Sequence, residues 1–301
     1  MNAPASTAQD DVRKRIQSPS GGYAMLALDQ RESLRAMFPL RADGTWATDE
    51  DLRTFKAEAV RELTPFASAV LLDREYALGG GRPAALAEGC GLIVAADVLH
   101  QVTGQPVSHS SIDEEVTLEF LTSVGADAVK FLVMWNERDS AAERVELIQP
   151  IVELCRRAGV ASLIEAVVQT PAGKPFADDA ARNDAILAAA AEIAPLDADV
   201  YKAQVPGYSA GDLSKVEENA RALSEIVGTD WVVLSNGVQK EDFADAVTAA
   251  LRGGASGFLA GRAIWADVVG RVDTVGALRS VSTPRLQNLR QIVEDGVSVD
   301  S

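Results

Sequence analysis

Histidine and cysteine are scarce: the chain carries two of each, His100 and His109, Cys90 and Cys155. Two cysteines do not make a disulfide framework. Both are expected as reduced core thiols, Cys90 ahead of an apolar strand-like run and Cys155 on a helix face. A zinc site rich in imidazole cannot be built within one chain from two histidines that lie in no ligand-spaced cluster. Basic residues are outnumbered, 28 Lys and Arg against 44 Asp and Glu, for a net charge of −16. That balance argues against nucleic acid or an anionic membrane surface as partner, and any anionic small substrate needs a local basic pocket. No run reaches the roughly 18 apolar residues of a membrane-spanning helix. The polar opening, Met1 to Ser20, lacks the hydrophobic centre of a signal peptide. The expectation is a reduced, cytoplasmic, soluble protein. With no charge block or linker dividing it, the chain reads as a polar tail, residues 1–20, and one domain, residues 21–301.

Apolar residues make up 47% of the 301, enough for a sizeable core. They fall into eight short continuous runs, as strands buried on both faces require. The runs are Tyr23 to Leu28, Ser68 to Leu72, Gly91 to Ala96, Ala128 to Trp135, Ala161 to Val168, Val200 to Val205, Trp231 to Leu234 and Gly257 to Ala260. The first three each end in an aspartate: Asp29, Asp73 and Asp97. Helical patterns lie between. Leu52, Phe55, Ala59 and Leu63 share one face after an acidic start, and an alanine-rich helix spans roughly residues 178–194. Ser140 to Glu143 reads as a capping box and Gly159 as a C-cap, with Pro150 predicting a kink or break between them. Eight such units predict a single (β/α)8 barrel. The first turn, Asp29 to Glu32, lacks the glycines of a doubly wound nucleotide fold.

In a barrel the site lies at the C-terminal strand ends. Charged residues inside strands are costly unless paired or functional, so Lys130, Glu165 and Lys202 in strands four, five and six stand out. A buried salt bridge that specifies packing is the plain reading of such a group. The functional one places Lys130 and Lys202 near each other from opposite sides of the barrel with Glu165 between. A neighbouring cation then keeps one amine neutral for attack on a carbonyl, and Glu165 moves protons. That is what aldol chemistry through an iminium requires. Asp29, Asp73 and Asp97 offer a weaker carboxylate Mg²⁺ site, since such aspartates also cap helices. Strands seven and eight end in Ser235-Asn236-Gly237 and Gly261-Arg262, small residues plus a guanidinium, where barrels often bind phosphate.

At these residues the sequence resembles the class I aldolases of the tagatose-1,6-bisphosphate aldolase type, and among them the sulfofructosephosphate branch, from about Gly21 to Val293. The specific pieces are the segment from Gly21 to Glu32, that from Ala255 to Trp265, Val129 to Val133, and Val200-Tyr201-Lys202. The resemblance implies a barrel without metal or other cofactor and a homo-oligomer. It makes Lys202 the Schiff-base lysine, assisted by Lys130, Glu165 and Asp29. It implies a substrate with its C1 phosphate on Ser235, Asn236, Gly237, Gly261 and Arg262 and its distal anion near Gln30 and Arg31. Cleavage of 6-deoxy-6-sulfofructose 1-phosphate would give dihydroxyacetone phosphate and 3-sulfolactaldehyde. Tagatose- or fructose-1,6-bisphosphate cleavage is the alternative, and a non-catalytic sugar-phosphate-binding barrel the second. The chain departs from the family at Gln204, usually glutamate, and at Asn236, a second serine in the sulfo-enzymes.

Overall fold

The computed structural model describes residues 12–170 and 174–299. Eight parallel strands close a barrel: β1 (Tyr23–Leu28), β2 (Ala69–Asp73), β3 (Gly91–Ala95), β6 (Ala128–Trp135), β7 (Ala161–Val168), β8 (Val200–Gln204), β9 (Asp230–Leu234) and β10 (Gly257–Ala260). They follow one another round the ring in chain order, and β10 returns to pair with β1, Tyr23 opposite Gly257. All eight apolar runs became barrel strands.

Strand alternation sorts the core into two. Inside the barrel lie Tyr23, Met25, Ala27, Ala69, Leu71, Ile93, Ala95, Ala128, Ala161, Leu163, Val200, Val232 and Leu259. The intervening residues, such as Leu26, Val70, Leu92, Val129, Ile164, Tyr201 and Phe258, pack outward beneath the helices. Continuing the inward alternation by two residues past Ala128, Leu163 and Val200 gives Lys130, Glu165 and Lys202. An ionic layer thus caps an apolar one.

The helices cover the outer core. Asp49–Leu63 starts on a capping box formed by Thr48 and Asp51 and buries Leu52, Phe55, Ala59 and Leu63. The helix Ala141–Ala158 is capped by Ser140, which accepts from the Glu143 N–H, and ends on Gly159 at φ 65°. It runs unbroken through Pro150, which is exposed. The i−4 carbonyl that loses its donor there belongs to Glu146, also exposed, so water satisfies it. Cys90 and Cys155 are buried free thiols, and burial pushes Cys90 up to about 12. No described helix is long and apolar enough to cross a membrane.

Two features stand apart from the sequence expectation. An antiparallel hairpin, β4 (Asp97–His100) and β5 (His109–Ile112), is inserted between β3 and β6, so Asp97 opens β4 rather than ending the third barrel strand. The rings of His100 and His109 stack across it, 4.0 Å apart. Of the tail drawn as residues 1–20, residues 1–11 lie outside the described ones, while Ile16 is fully buried in the inner core and Arg13 reaches Asp230 at 3.2 Å.

Asp73 serves the scaffold. It pairs with Lys56 of the Asp49–Leu63 helix, both fully buried, and its other oxygen accepts from the Tyr76 N–H at 2.7 Å. Lys56→Met strands that carboxylate and is expected to cost about 3–5 kcal/mol, the scale for breaking a buried pair. Urea denaturation reads the loss, and adding Asp73→Asn should recover part of it. A single variant as stable as the wild type would rule out a structural role for the pair.

Candidate active site

Five charged side chains meet at the upper end of the barrel. Glu165 Oε2 lies 2.9 Å from Lys202 Nζ and 3.0 Å from Lys130 Nζ. Lys130 is also 2.9 Å from Asp29 and 2.9 Å from Asp97. Its strand and that of Lys202 flank β7, so the two lysines meet across one intervening strand rather than from opposite sides of the barrel. Register explains the bridge: Glu165 is directly opposite Lys202 in the β7–β8 ladder and opposite Leu132, two residues past Lys130, in the β6–β7 ladder.

The two lysines are not equivalent. Burial alone would lower the Lys130 pKa, but Asp29, Asp97 and Glu165 outweigh it and hold the ammonium well above the usual lysine range. Lys130 is therefore a fixed cation and a poor nucleophile. Lys202 has one carboxylate partner and opens onto the cavity. Burial likewise pushes Asp29 and Glu165 upward, but Lys130 and Lys202 overcome it, and both carboxyls sit below their usual range. The layer therefore holds two standing carboxylates, one locked cation and one lysine that faces the cavity.

A cavity of about 640 Å³ sits above this layer, lined by Asp29, Gln30, Lys130, Glu165, Lys202, Asn236 and Arg262. A recess of about 450 Å³ adjoins it through Arg262 and is lined by Ser235, Gly237, Lys240 and Asp267. Arg262 Nη2 donates to the neutral Asn236 Oδ1 at 2.5 Å, and among the described residues no carboxylate lies within ion-pair distance of it. A largely buried guanidinium whose side-chain partner is an amide is chemically suited to receive an anion. Gly261 lines neither space. A Cβ there would meet the Ala27 carbonyl oxygen at 2.4 Å, so the glycine lets β10 run close to β1 just before Arg262. Gln204 Oε1 accepts from the Val168 N–H at 2.9 Å, tying the end of β8 to that of β7.

Arg31 departs from its sequence assignment. It is buried, faces Asp97 Oδ1 at 3.4 Å and does not line the cavity. Sequence reasoning also passed over Lys174, Gln101 and Gln105, which do line it. The acidic trio Asp29, Asp73 and Asp97 is divided between Lys130 and Lys56. Among the described residues no group of three or more His, Cys, Asp or Glu side chains is placed to hold a metal.

The profile of the DeoC/LacD family aldolases matches residues 23–267. A tagatose 1,6-diphosphate aldolase of Listeria monocytogenes serotype 4b (strain CLIP80459) is 30% identical over 290 residues, covering 85% of this chain and 81% of its own. A tagatose 1,6-diphosphate aldolase 2 of Streptococcus pyogenes serotype M1 is 30% identical over 292 residues, covering 87% and 86%. Among solved structures, an archaeal fructose 1,6-bisphosphate aldolase superposes with a TM-score of 0.66 at 19% identity, over 95% of this chain and 99% of that one. The last of these speaks for the fold; the first three, over most of each chain, place this protein in the DeoC/LacD family of aldolases.

Proposed function

We propose that this aldolase cleaves 6-deoxy-6-sulfofructose 1-phosphate to dihydroxyacetone phosphate and 3-sulfolactaldehyde through a Schiff base on Lys202. The observation that carries the mechanism is the asymmetry of the two lysines: three carboxylates hold Lys130 as a cation, and among the described residues Lys202 is paired with Glu165 alone. Lys202 adds to the C2 ketone, and the resulting carbinolamine loses water with protons moved by Glu165 and Lys130. The iminium then accepts the electron pair of the C3–C4 bond and becomes an enamine, which is protonated at C3 and hydrolysed by water to free Lys202 and dihydroxyacetone phosphate. Asp29, a carboxylate on the cavity floor, takes the proton of the C4 hydroxyl as the aldehyde departs. Arg262 with Ser235, Asn236 and Gly237 receives the C1 phosphate.

The distal anion is the finer question. Across the ring from β9 stands β3, so the wall facing the phosphate side is built by the hairpin that follows β3. That wall presents Gln101 and Gln105, and Gln30 and Ser33 line the cavity from the segment after β1. Arg31 is engaged by Asp97, leaving Lys174, among the described residues, as the one lining cation outside the catalytic layer and Arg262. A weakly basic, amide-rich wall suits a sulfonate, which carries one charge, better than a phosphate, which carries up to two. Tagatose-1,6-bisphosphate cleavage is the second reading, favoured by the names of the 30%-identical relatives.

Competition between the sulfonated sugar phosphate, tagatose bisphosphate and fructose bisphosphate tests the assignment. The expected result is a kcat/KM at least about tenfold higher for the sulfonate, on the scale of one charged contact. A preference for either bisphosphate overturns the substrate and keeps the mechanism. Borohydride trapping adds substrate mass to a catalytic barrel and none to a mere binding protein.

A further inference from the structure

Asp97 has no role in the steps above, yet it is the most enclosed ionisable group of the cluster, with no accessible surface. Its Oδ2 accepts from Lys130 Nζ at 2.9 Å and from the Leu132 N–H at 3.1 Å, so it grips β6 both by side chain and by backbone. Its Oδ1 makes no hydrogen bond and faces Arg31 Nη1 at 3.4 Å. It lines no part of the cavity. It is also the first residue of the hairpin whose tip, Gln101 to Val107, forms a wall of that cavity. The hairpin root is stapled to β6 on either side of it. The Ala96 N–H donates to the Lys130 carbonyl at 2.9 Å, and the Ser110 hydroxyl donates to that of Leu132.

We propose that Asp97 is the positioning residue of this aldolase: with Arg31 behind it, it seats the Lys130 ammonium against Glu165 and joins that contact to the hairpin wall. The proposal rests on the reading of Lys202 as the Schiff-base lysine and adds to it a carboxylate and a guanidinium that touch no substrate. Charged groups enclose Lys130 on several sides. Asp29, Asp97 and Glu165 face it, Lys202 lies beyond Glu165, and Arg31 lies beyond Asp97. Arg262 feels Glu165 and Asp29 from the cavity side, and Lys56, paired to Asp73, feels Arg31 and Asp29. Asp97→Asn removes one negative charge and leaves Arg31 as an uncompensated neighbour. Both changes weaken the hold on the Lys130 proton. Arg31→Gln does the reverse, leaving Lys130 with an unshared carboxylate.

The test pairs a pH profile with adduct mapping. Each variant is assayed for retro-aldol cleavage from pH 6 to the alkaline limit of stability, and its borohydride adduct is located by peptide mass. The alkaline limb of kcat in Asp97→Asn is expected to move down by about one unit or more, the scale for one lost counter-charge. The adduct should remain on Lys202, and the limb of Arg31→Gln should not move down. A merely structural Asp97 lowers the melting temperature and leaves the limb in place; that result overturns the proposal. If Asp97→Asn does not fold, an Arg31→Gln limb shifted down overturns it, and one unchanged or shifted up supports it. Absence of the Lys202 adduct in the wild-type enzyme is a separate outcome, which removes the Schiff-base reading itself and the proposal with it.

Discussion

Lys202→Met is expected to abolish cleavage, a fall in kcat of about 10⁴- to 10⁶-fold, the range seen when a covalent nucleophile is removed. The side chains are similar in length, and Lys202 is 3% exposed, so the substitution keeps the packing of β8 while deleting the amine. The variant should bind product-like phosphates with little change, because Arg262 and the loops after β9 and β10 are untouched. It should take up no mass on borohydride treatment. Lys130 does not substitute for it, since its three carboxylate partners keep it protonated. A variant that retains wild-type turnover, or whose adduct appears on Lys130, would sink the assignment.

Glu165→Gln is the second large effect. One oxygen of Glu165 serves both ammonium groups, so the amide removes the base between them. Loss of a positioned acid–base group lowers kcat by about 10²- to 10⁴-fold. Trapping on Lys202 should persist at a slower rate, because the amine itself remains. The same variant bears on stability. Glu165 and Asp29 titrate below their usual range in the fold. A depressed carboxyl contributes stability that is present above its unfolded pKa and is lost as pH falls through the folded value. Lys130 contributes the opposite way: its share is present below the ordinary lysine pKa and is lost as pH rises through the raised folded value. The wild type should therefore show a broad plateau and lose stability in acid, below about pH 4 to 4.5, where free carboxyls titrate. Glu165→Gln should show a shallower acid slope; an unchanged slope would mean that Glu165 is not charged in the folded protein.

How much of this was readable beforehand follows from where the information sits. The barrel strands announce themselves because both of their faces are apolar, and Lys130, Glu165 and Lys202 stand out because each interrupts such a run. The hairpin does not, since its second strand, His109-Ser110-Ser111-Ile112, is polar and its burial is partial. With the hairpin unseen, Asp97 reads as the end of a barrel strand and not as a partner of Lys130. Arg31 then looks free to meet a substrate anion, whereas 66 residues later in the chain its counter-charge arrives through tertiary structure. Pro150 is a similar case: its residue type predicts a break, but its place on the solvent face lets water offset the lost bond. Lys56 hides for the opposite reason. A lysine in a helix is ordinarily read as solvated, and only the position of Asp73 shows that this one is interior.

The seam where β1 meets β10 is the last join of the ring that can form as the chain is synthesised. Tyr23 to Leu26 must wait for Gly257 to Ala260, nearly the whole chain later, before the ring can shut. Gly257 is the residue that permits the join, because a Cβ there would fall 2.0 Å from the Tyr23 carbonyl oxygen. At ribosomal speeds of about 5–20 residues per second, the first strand spends tens of seconds or less as an open edge. Arg262, carried just beyond β10, arrives only with that last strand. A nascent chain that lacks β10 therefore has its two lysines and their shared glutamate on neighbouring strands, but not the guanidinium beside the cavity.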